Sequence, residues 1–370
     1  MDRINGRLAI QQRVLPAYRI PFFDALAAEC AQGMSLIAGQ ARPEEFIKGN
    51  TIPVVAAFTW TKNIHLFRGS WYMCWQKGLV PWLKKSQPNA LILEANPRYL
   101  SSYGAIHWMK QLKKPIIGWG LGSPMAHGSW SSLRLGLRQR FIHQFEALIT
   151  YSQRGAEEYA QLGFAREKIF IAPNAAVPRP IHAPPNRPNN FLGDRPVILF
   201  VGRLQERKKV GDLIRACASL PPSLQPILWV IGDGPMRTEL EQLASKIYMY
   251  VKFFGAIHGR ELDHQFSKAD LFVLPGTGGL AVQQAMSFAL PVIVGQADGT
   301  QVDLVRPENG WSLISGSVET LTQALQVALS DVARLRRMGL ESYRIVKDEI
   351  NLETMVRIFI QAINSVAGQQ

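Results

Sequence analysis

Val197-Ile198-Leu199-Phe200-Val201-Gly202-Arg203-Leu204-Gln205-Glu206-Arg207-Lys208-Lys209 is the stretch on which the fold of this chain turns. Five consecutive apolar residues predict a strand covered on both faces, the kind found in parallel sheets flanked by helices. Gly202, at the strand end, lets the backbone come close to a ligand. Arg203 and Lys208, five residues apart, can grip a diphosphate from two sides. Taken alone, the same loop also reads as a solvated basic turn.

Outward from it the pattern repeats. Strands are expected at Ile227–Ile231, Val251–Phe254, Leu271–Leu274, Pro291–Val294 and Trp311–Ile314. Helices are expected at Gly211–Ser219, Met236–Ala244, Gly259–Ala269, Leu280–Phe288, Val318–Met338 and Leu352–Ala367. Three more loops join the first. Gly232-Asp233-Gly234-Pro235 turns a strand into a helix but lacks the third glycine of a dinucleotide fingerprint. Gly255-Ala256-Ile257 follows a strand as a small-residue turn. Pro275-Gly276-Thr277-Gly278-Gly279 runs into the helix that starts at Leu280, so free N–H groups and the positive helix end favour a phosphate there. The fold class is α/β, with ligands expected at the carboxyl ends of the strands.

In order and spacing these loops resemble the C-terminal domain of the retaining glycosyltransferases of family 4, which have the GT-B fold: two Rossmann-like domains facing each other across a cleft. The family pattern runs G-R-L-x3-K-G, G-D-G-P, F-x-G, P-x-E-G-x-G-L-x3-E-A-M, G-L-P-V-I and N-G. This chain supplies Gly202/Arg203/Leu204/Lys208, Gly232–Pro235, Phe253/Gly255, Gly279/Leu280/Ala285/Met286, Leu290–Ile293 and Asn309-Gly310. The resemblance implies a nucleotide-diphosphate sugar as donor, a UDP-sugar before a GDP- or dTDP-sugar, with no cofactor and no metal. Arg203 and Lys208 would hold the diphosphate and neutralise its charge as it leaves. The loops at Gly232, Asp233, Gly255–Ile257 and Gly276–Leu280 would carry the rest of the donor. Leu15–Phe23 resembles the family's first loop and helix, which puts Tyr18 and Arg19 on the acceptor side, and Ile169–Asn174 resembles the segment closing its N-terminal domain.

The chain departs from the pattern at two places. Where relatives carry two glutamates, the first on sugar hydroxyls and the second on the ribose, it has Gly276 and Gln284. Gln284 keeps a hydrogen-bonding amide without charge assistance, and Asp298 or Asp303 are candidates to compensate. Where some relatives read W-G-H-G, this chain reads Trp119-Gly120-Leu121-Gly122, leaving His127, six residues on, as the candidate cleft histidine.

A length of 370 residues suits two domains. In the first half, strands are expected at Leu8–Gln11, Ser35–Ala38, Ala90–Leu93, Pro115–Ile117, Ala147–Tyr151 and Ile169–Ala172, with helices such as Pro21–Cys30 and Leu133–Phe145. Residues 173–196 hold seven prolines and four asparagines, which neither a helix nor a central strand tolerates. They read as a linker between an acceptor-binding domain over 1–185 and a nucleotide-sugar domain over 190–345, with a last helix near 350–370 packing back on the first.

Cys30, Cys74 and Cys217 lie far apart and share no metal-ligand spacing, so a reducing compartment is the default. No apolar run is long enough to span a bilayer, and the opening residues lack the apolar core of a signal peptide. The expected location is the cytoplasm, or the inner face of the cytoplasmic membrane. Residues 1–190 hold 23 Lys+Arg against 10 Asp+Glu, whereas 191–370 hold 18 against 18. The whole excess of +13 therefore sits on the first half, which suggests an anionic partner. Within 57–85, Trp60, Trp71, Trp75 and Trp82 alternate with Lys62, Arg68, Lys77, Lys84 and Lys85, and Arg134, Arg138 and Arg140 follow. This suits a membrane interface, although tryptophans in a core beside a solvated edge give the same pattern. Nothing resembles a nucleic-acid fold. The functional expectation is transfer of a sugar to a glycan or lipid-linked oligosaccharide. A nucleotide-sugar- or glycan-binding protein with impaired catalysis is the alternative that the missing glutamates raise.

Overall fold

The computed structural model describes residues 3–42, 45, 51–122, 131–191, 193, 195–295, 303–313 and 316–367. They form two units, the first of Met1–Ala176 with Leu352–Gln370 and the second of Val177–Asn351.

The first unit is a seven-stranded parallel sheet with a hairpin added. Its strands are β1 (Leu8–Val14), β2 (Met34–Gly39) and β3 (Ala57–Thr61), the antiparallel pair β4 (Asn63–Leu66) and β5 (Met73–Gln76), then β6 (Ala90–Glu94), β7 (Ile116–Gly120), β8 (Ala147–Thr150) and β9 (Ile169–Ile171). The order in the main sheet is β3-β2-β1-β6-β7-β8-β9. Helices α1 (Ile20–Ala28), α2 (Leu79–Ser86), α3 (Ser101–Gln111), α4 (Ser131–Ile142) and α5 (Gln153–Gln161) connect the strands. Leu8, Ile10, Leu91, Ile92, Ile116 and Ile117 are fully buried, which is why the central strands read as unbroken apolar runs.

The second unit has a six-stranded parallel sheet of β10 (Val197–Val201), β11 (Ile227–Ile231), β12 (Val251–Gly255), β13 (Leu271–Leu274), β14 (Val292–Gly295) and β15 (Gly310–Leu313), in the order β12-β11-β10-β13-β14-β15. Its helices are α6 (Val210–Ala218), α7 (Arg237–Ile247), α8 (Gly259–Lys268), α9 (Leu280–Ser287), α10 (Val318–Leu329) and α11 (Val332–Asp348). One helix was expected over 318–338. The chain instead breaks at Ser330–Asp331, where Asp331 takes an extended backbone and its carboxylate accepts the Arg334 N–H at 2.8 Å, starting a new helix. The last helix, α12 (Leu352–Ala367), belongs to the first unit and packs on α1, with the Phe22 and Phe359 rings 4.8 Å apart.

The division between units falls at 176/177, earlier than the boundary near 185–190 that the proline content suggests, and unit 2 runs on to Asn351. Most of the proline-rich run therefore belongs to the second unit. The cause is side-chain donors that take up its carbonyls or anchor it. Arg187 donates to Ala269 O (2.9 Å), Phe266 O (2.8 Å) and Phe288 O (2.7 Å), and so caps the carboxyl ends of both α8 and α9. Arg336 donates to Pro188 O at 2.8 Å and Asn190 O at 2.9 Å. Prolines have no N–H to build a ladder, so arginines hold this segment in place. Buried Gln283 ties both ends of the unit's chain: it accepts the Val177 N–H at 3.2 Å and donates to Ile350 O at 2.8 Å.

Candidate functional site

In the second sheet the chain runs from β10 outward to β12, then crosses back to β13 on the other side of β10. Ligands of such sheets bind where this reversal opens a crevice between the loops of neighbouring strands. The four loops singled out by sequence follow β10, β11, β12 and β13, which are four adjacent strands. All four thus meet on one edge.

Glycines make the loops fit. A Cβ on Gly232, whose φ is 135°, would overlap the Gly202 carbonyl, and one on Gly234 would overlap that of Leu204. Backbone bonds from Leu204 N–H to Asp233 O (2.9 Å) and from Met236 N–H to Leu204 O (3.1 Å) then lock the first loop onto the second. Gly232 N–H also reaches Gly255 O at 2.7 Å, which brings in the third. The Asp233 side chain is exposed and accepts its neighbour's N–H, Gly234, at 2.7 Å. Ala256 is exposed and Ile257 half-buried beyond the turn.

The first and fourth loops join at the basic end. Thr277 N–H donates to Arg207 O at 3.1 Å, and the Arg207 guanidinium donates to Thr277 Oγ1 at 2.9 Å. Lys208 Nζ donates to the Thr277 carbonyl, and a Cβ on Gly278 would come within 2.5 Å of that nitrogen. Burial first, then the charge of Arg207, push the Lys208 ammonium down to about 8. The amine therefore sits half-buried against a glycine-rich loop whose next residues, Gly279 and Leu280, open α9. Arg203 is exposed at the end of β10. Chemically this is a ready anion site, with an ammonium, two guanidinium groups nearby in sequence and a helix N-terminus.

Gly276 has a steric reason. A Cβ there would overlap the Arg207 carbonyl and lie 2.6 Å from Lys208 Cα, so no side chain fits while the two loops are joined. Gly276→Ala should therefore push the Lys208 loop away. Overpacking against backbone costs about 1–3 kcal/mol, so donor affinity should fall roughly tenfold to a hundredfold. Isothermal titration with UDP reads this directly; unchanged affinity would show that the joined loops do not matter for binding. Lys209, where the family pattern has glycine, holds a left-handed backbone with φ 54°.

Gln284, on α9, donates from its amide to the Asp263 carboxylate of α8 at 3.4 Å. Sequence reasoning missed this carboxylate because Asp263 lies 21 residues away on another helix. Asp303 is described and half-buried, whereas Asp298 and His127 lie outside the described residues. Asn309 is fully buried and serves its own turn, accepting Arg306 N–H at 2.6 Å and donating to Leu304 O at 3.1 Å.

In the first unit Tyr18 is partly exposed, but Arg19 is 4% exposed. Its guanidinium lies 5.3, 5.2 and 5.0 Å from the ring centres of Tyr18, Trp119 and Tyr151. It packs the core beneath the first loop and does not face solvent. A polar cluster that sequence did not flag stands at the reversal between β1 and β6. Glu94 accepts the Arg13 N–H at 2.6 Å, and Arg13 pairs with Glu45 at 3.0 Å. Burial pushes the Glu94 carboxyl up to about 7, against the pull of Arg13. A carboxylate closing the apolar run Ala90–Leu93 was the available signal.

Residues 185–344 match the glycosyl transferases group 1 family. A sulfoquinovosyl transferase, SQD2 of Arabidopsis thaliana, is 33% identical over 39% of this chain and 29% of that protein. The lipopolysaccharide core biosynthesis glycosyltransferase LpsE of Rhizobium meliloti is 23% identical over 65% of this chain and 72% of its own. Among solved structures, Alr3699/HepE of Anabaena in complex with UDP superposes with a TM-score of 0.68 at 16% identity, over 97% of this chain and 99% of that one. The chain thus carries a glycosyl transferases group 1 domain, within an architecture of two parallel α/β sheets of the GT-B type.

Proposed function

We propose that the chain is a retaining glycosyltransferase that moves a sugar from a nucleotide-diphosphate donor to a hydroxyl of a glycan or lipid-linked oligosaccharide, in polysaccharide or cell-envelope assembly. The supporting observation is the convergence of four loops at one sheet reversal, with the Lys208 ammonium held against the Gly276–Gly279 loop at the start of α9. A UDP-sugar is the favoured donor, ahead of GDP- and dTDP-sugars; the Anabaena structure was solved with UDP. Arg203 and Lys208 hold the diphosphate and take up its charge as the anomeric C–O bond breaks, in the role a metal ion plays elsewhere. The acceptor oxygen bonds to the anomeric carbon from the face the diphosphate leaves, and its proton passes to a phosphate oxygen. The anomeric configuration is kept, and no protein nucleophile is needed. Gln284, with Asp263 behind it, faces the ribose hydroxyls. The first unit takes the acceptor, and the protein works in the cytoplasm at the inner face of the membrane.

The test is turnover of a panel of UDP-, GDP- and dTDP-sugars. Arg203→Ala should lower it by roughly 10²–10³-fold; an unchanged rate would remove that residue from the mechanism. A second reading, a nucleotide-sugar-binding protein without transfer, has one observation behind it: backbone fills the place of the first glutamate at Gly276. Tight UDP binding with no turnover on any donor would favour it.

A further inference from the structure

The excess charge of the first unit has a narrower location than the half-chain balance suggests. Residues 46–145 hold thirteen Lys and Arg against a single acid, Glu94, which closes the central strand β6. Beside the edge strand β3 within this stretch stands the β4–β5 hairpin, whose faces are inverted relative to a water-soluble sheet. Side chains alternate along each strand. Ile64 pairs with Trp75 and Leu66 with Met73, and Ile64, Leu66 and Trp75 are exposed. The inward set is polar or small: Asn63 donates to Arg13 O at 2.7 Å, buried Gln76 donates to Gln12 O at 2.9 Å, and Cys74 is buried. Apolar residues outside and hydrogen-bonded polar residues inside do not serve folding in water.

The hairpin's far end continues the face. Phe67 has a φ of 58°, a backbone bulky residues rarely adopt, and is 67% exposed; Trp71 is 66% exposed. On β3, Trp60 is exposed beside Phe58. Of the four tryptophans within 57–85, only Trp82 packs against the core. Cations rim the apolar face. Lys62, Arg68 and Lys77 are exposed, and the Arg134 guanidinium lies 5.9 Å from the Trp71 ring.

We propose that this hairpin face docks on an anionic phospholipid bilayer, with Phe67, Trp71 and Trp75 at headgroup depth and the cations on lipid phosphates. It deepens the proposed function by placing a surface for a lipid-linked acceptor, and rests on that reading for the acceptor alone. A second copy of the chain is a poorer occupant, because pairing the hairpins would set two cationic rims against each other. Single-stranded nucleic acid would use the rings and cations but leave Ile64 and Leu66 without a stacking partner.

The experiment is cosedimentation of the full chain with phosphatidylglycerol/phosphatidylcholine vesicles and with phosphatidylcholine alone, with donor turnover on a short soluble acceptor measured in parallel. Wild type should bind the anionic vesicles at low salt and lose them at high salt. The exposed-face variant Ile64→Ser/Trp71→Ser/Trp75→Ser should partition at least roughly tenfold less, with turnover unchanged. Lys62→Ser/Arg68→Ser/Lys77→Ser should lose the preference for anionic lipid. Wild type left in the supernatant, a triple variant that binds as well as wild type, a dimer that the triple variant abolishes, or retention on polyuridylate without vesicle binding would each overturn the proposal. Vesicle binding without turnover would instead count against the transferase reading and leave the docking face standing.

Discussion

Lys208→Met should lower turnover by roughly 10²–10³-fold, because it removes the half-buried cation held against the Gly276–Gly279 loop. The pH dependence gives a second, sharper readout. Burial and the charge of Arg207 push the ammonium down to about 8 from its usual 10.5. Donor binding needs the charged form, so donor affinity should fall as pH rises through about 8. Folding runs the other way. Between about 8 and 10.5 the unfolded chain holds the proton and the folded one does not. The second unit should therefore gain stability as pH rises through that window. Opposite slopes for affinity and stability, both flattened in Lys208→Met, are the signature of a desolvated lysine kept for a ligand. UDP titrations and urea midpoints across roughly pH 7 to pH 10 measure them. A parallel pH response in wild type and variant would dissociate Lys208 from donor binding.

The second unit was legible because its strands are uninterrupted apolar runs and each motif loop directly follows one. Adjacency on the sheet then did the rest, since β12, β11, β10 and β13 are neighbours. What sequence missed depends on contacts far along the chain. The β4–β5 hairpin hides from pattern reading because its apolar positions face outward and its polar ones inward. Of the four tryptophans in 57–85, three are exposed and one is packed, a split that depends on which face of the fold each occupies. The linker looked free because prolines signal loops, while the arginines that bind it come from its own interior, Arg187, and from Arg336 on α11. Gly276 read as a loss; its reason, the Arg207 carbonyl, lies 69 residues away on a different loop. Asp263 beside Gln284 and Glu94 beside Arg13 are likewise pairings between separate elements.

Asp270→Asn should cost the second unit about 3–5 kcal/mol, the price of removing one member of a buried ion pair. Asp270 is 1% exposed at the start of β13; one oxygen meets Arg336 at 2.7 Å and the other accepts the Val197 N–H at 2.8 Å. It therefore joins β10, β13 and α11 at the amino ends of the strands, opposite the donor loops. The charge count makes the result asymmetric. Burial and the charge of Arg336 already push Arg187 down to about 10, and Asp270 pulls it back up, so buried Arg336 and half-buried Arg187 both feel the one carboxylate, which bonds to Arg336 alone. Removing the carboxylate leaves both cations uncompensated. Removing Arg336, as in Arg336→Met, leaves Asp270 with the Val197 N–H and the charge of Arg187, one cation against one anion, and should cost less, although the Pro188 and Asn190 carbonyls lose their donor. Calorimetry should show Asp270→Asn melting the second unit roughly 10 °C lower, with Arg336→Met between it and wild type. The reverse order would mean that the arginine's bonds to the proline-rich segment, and not charge balance, dominate this clamp.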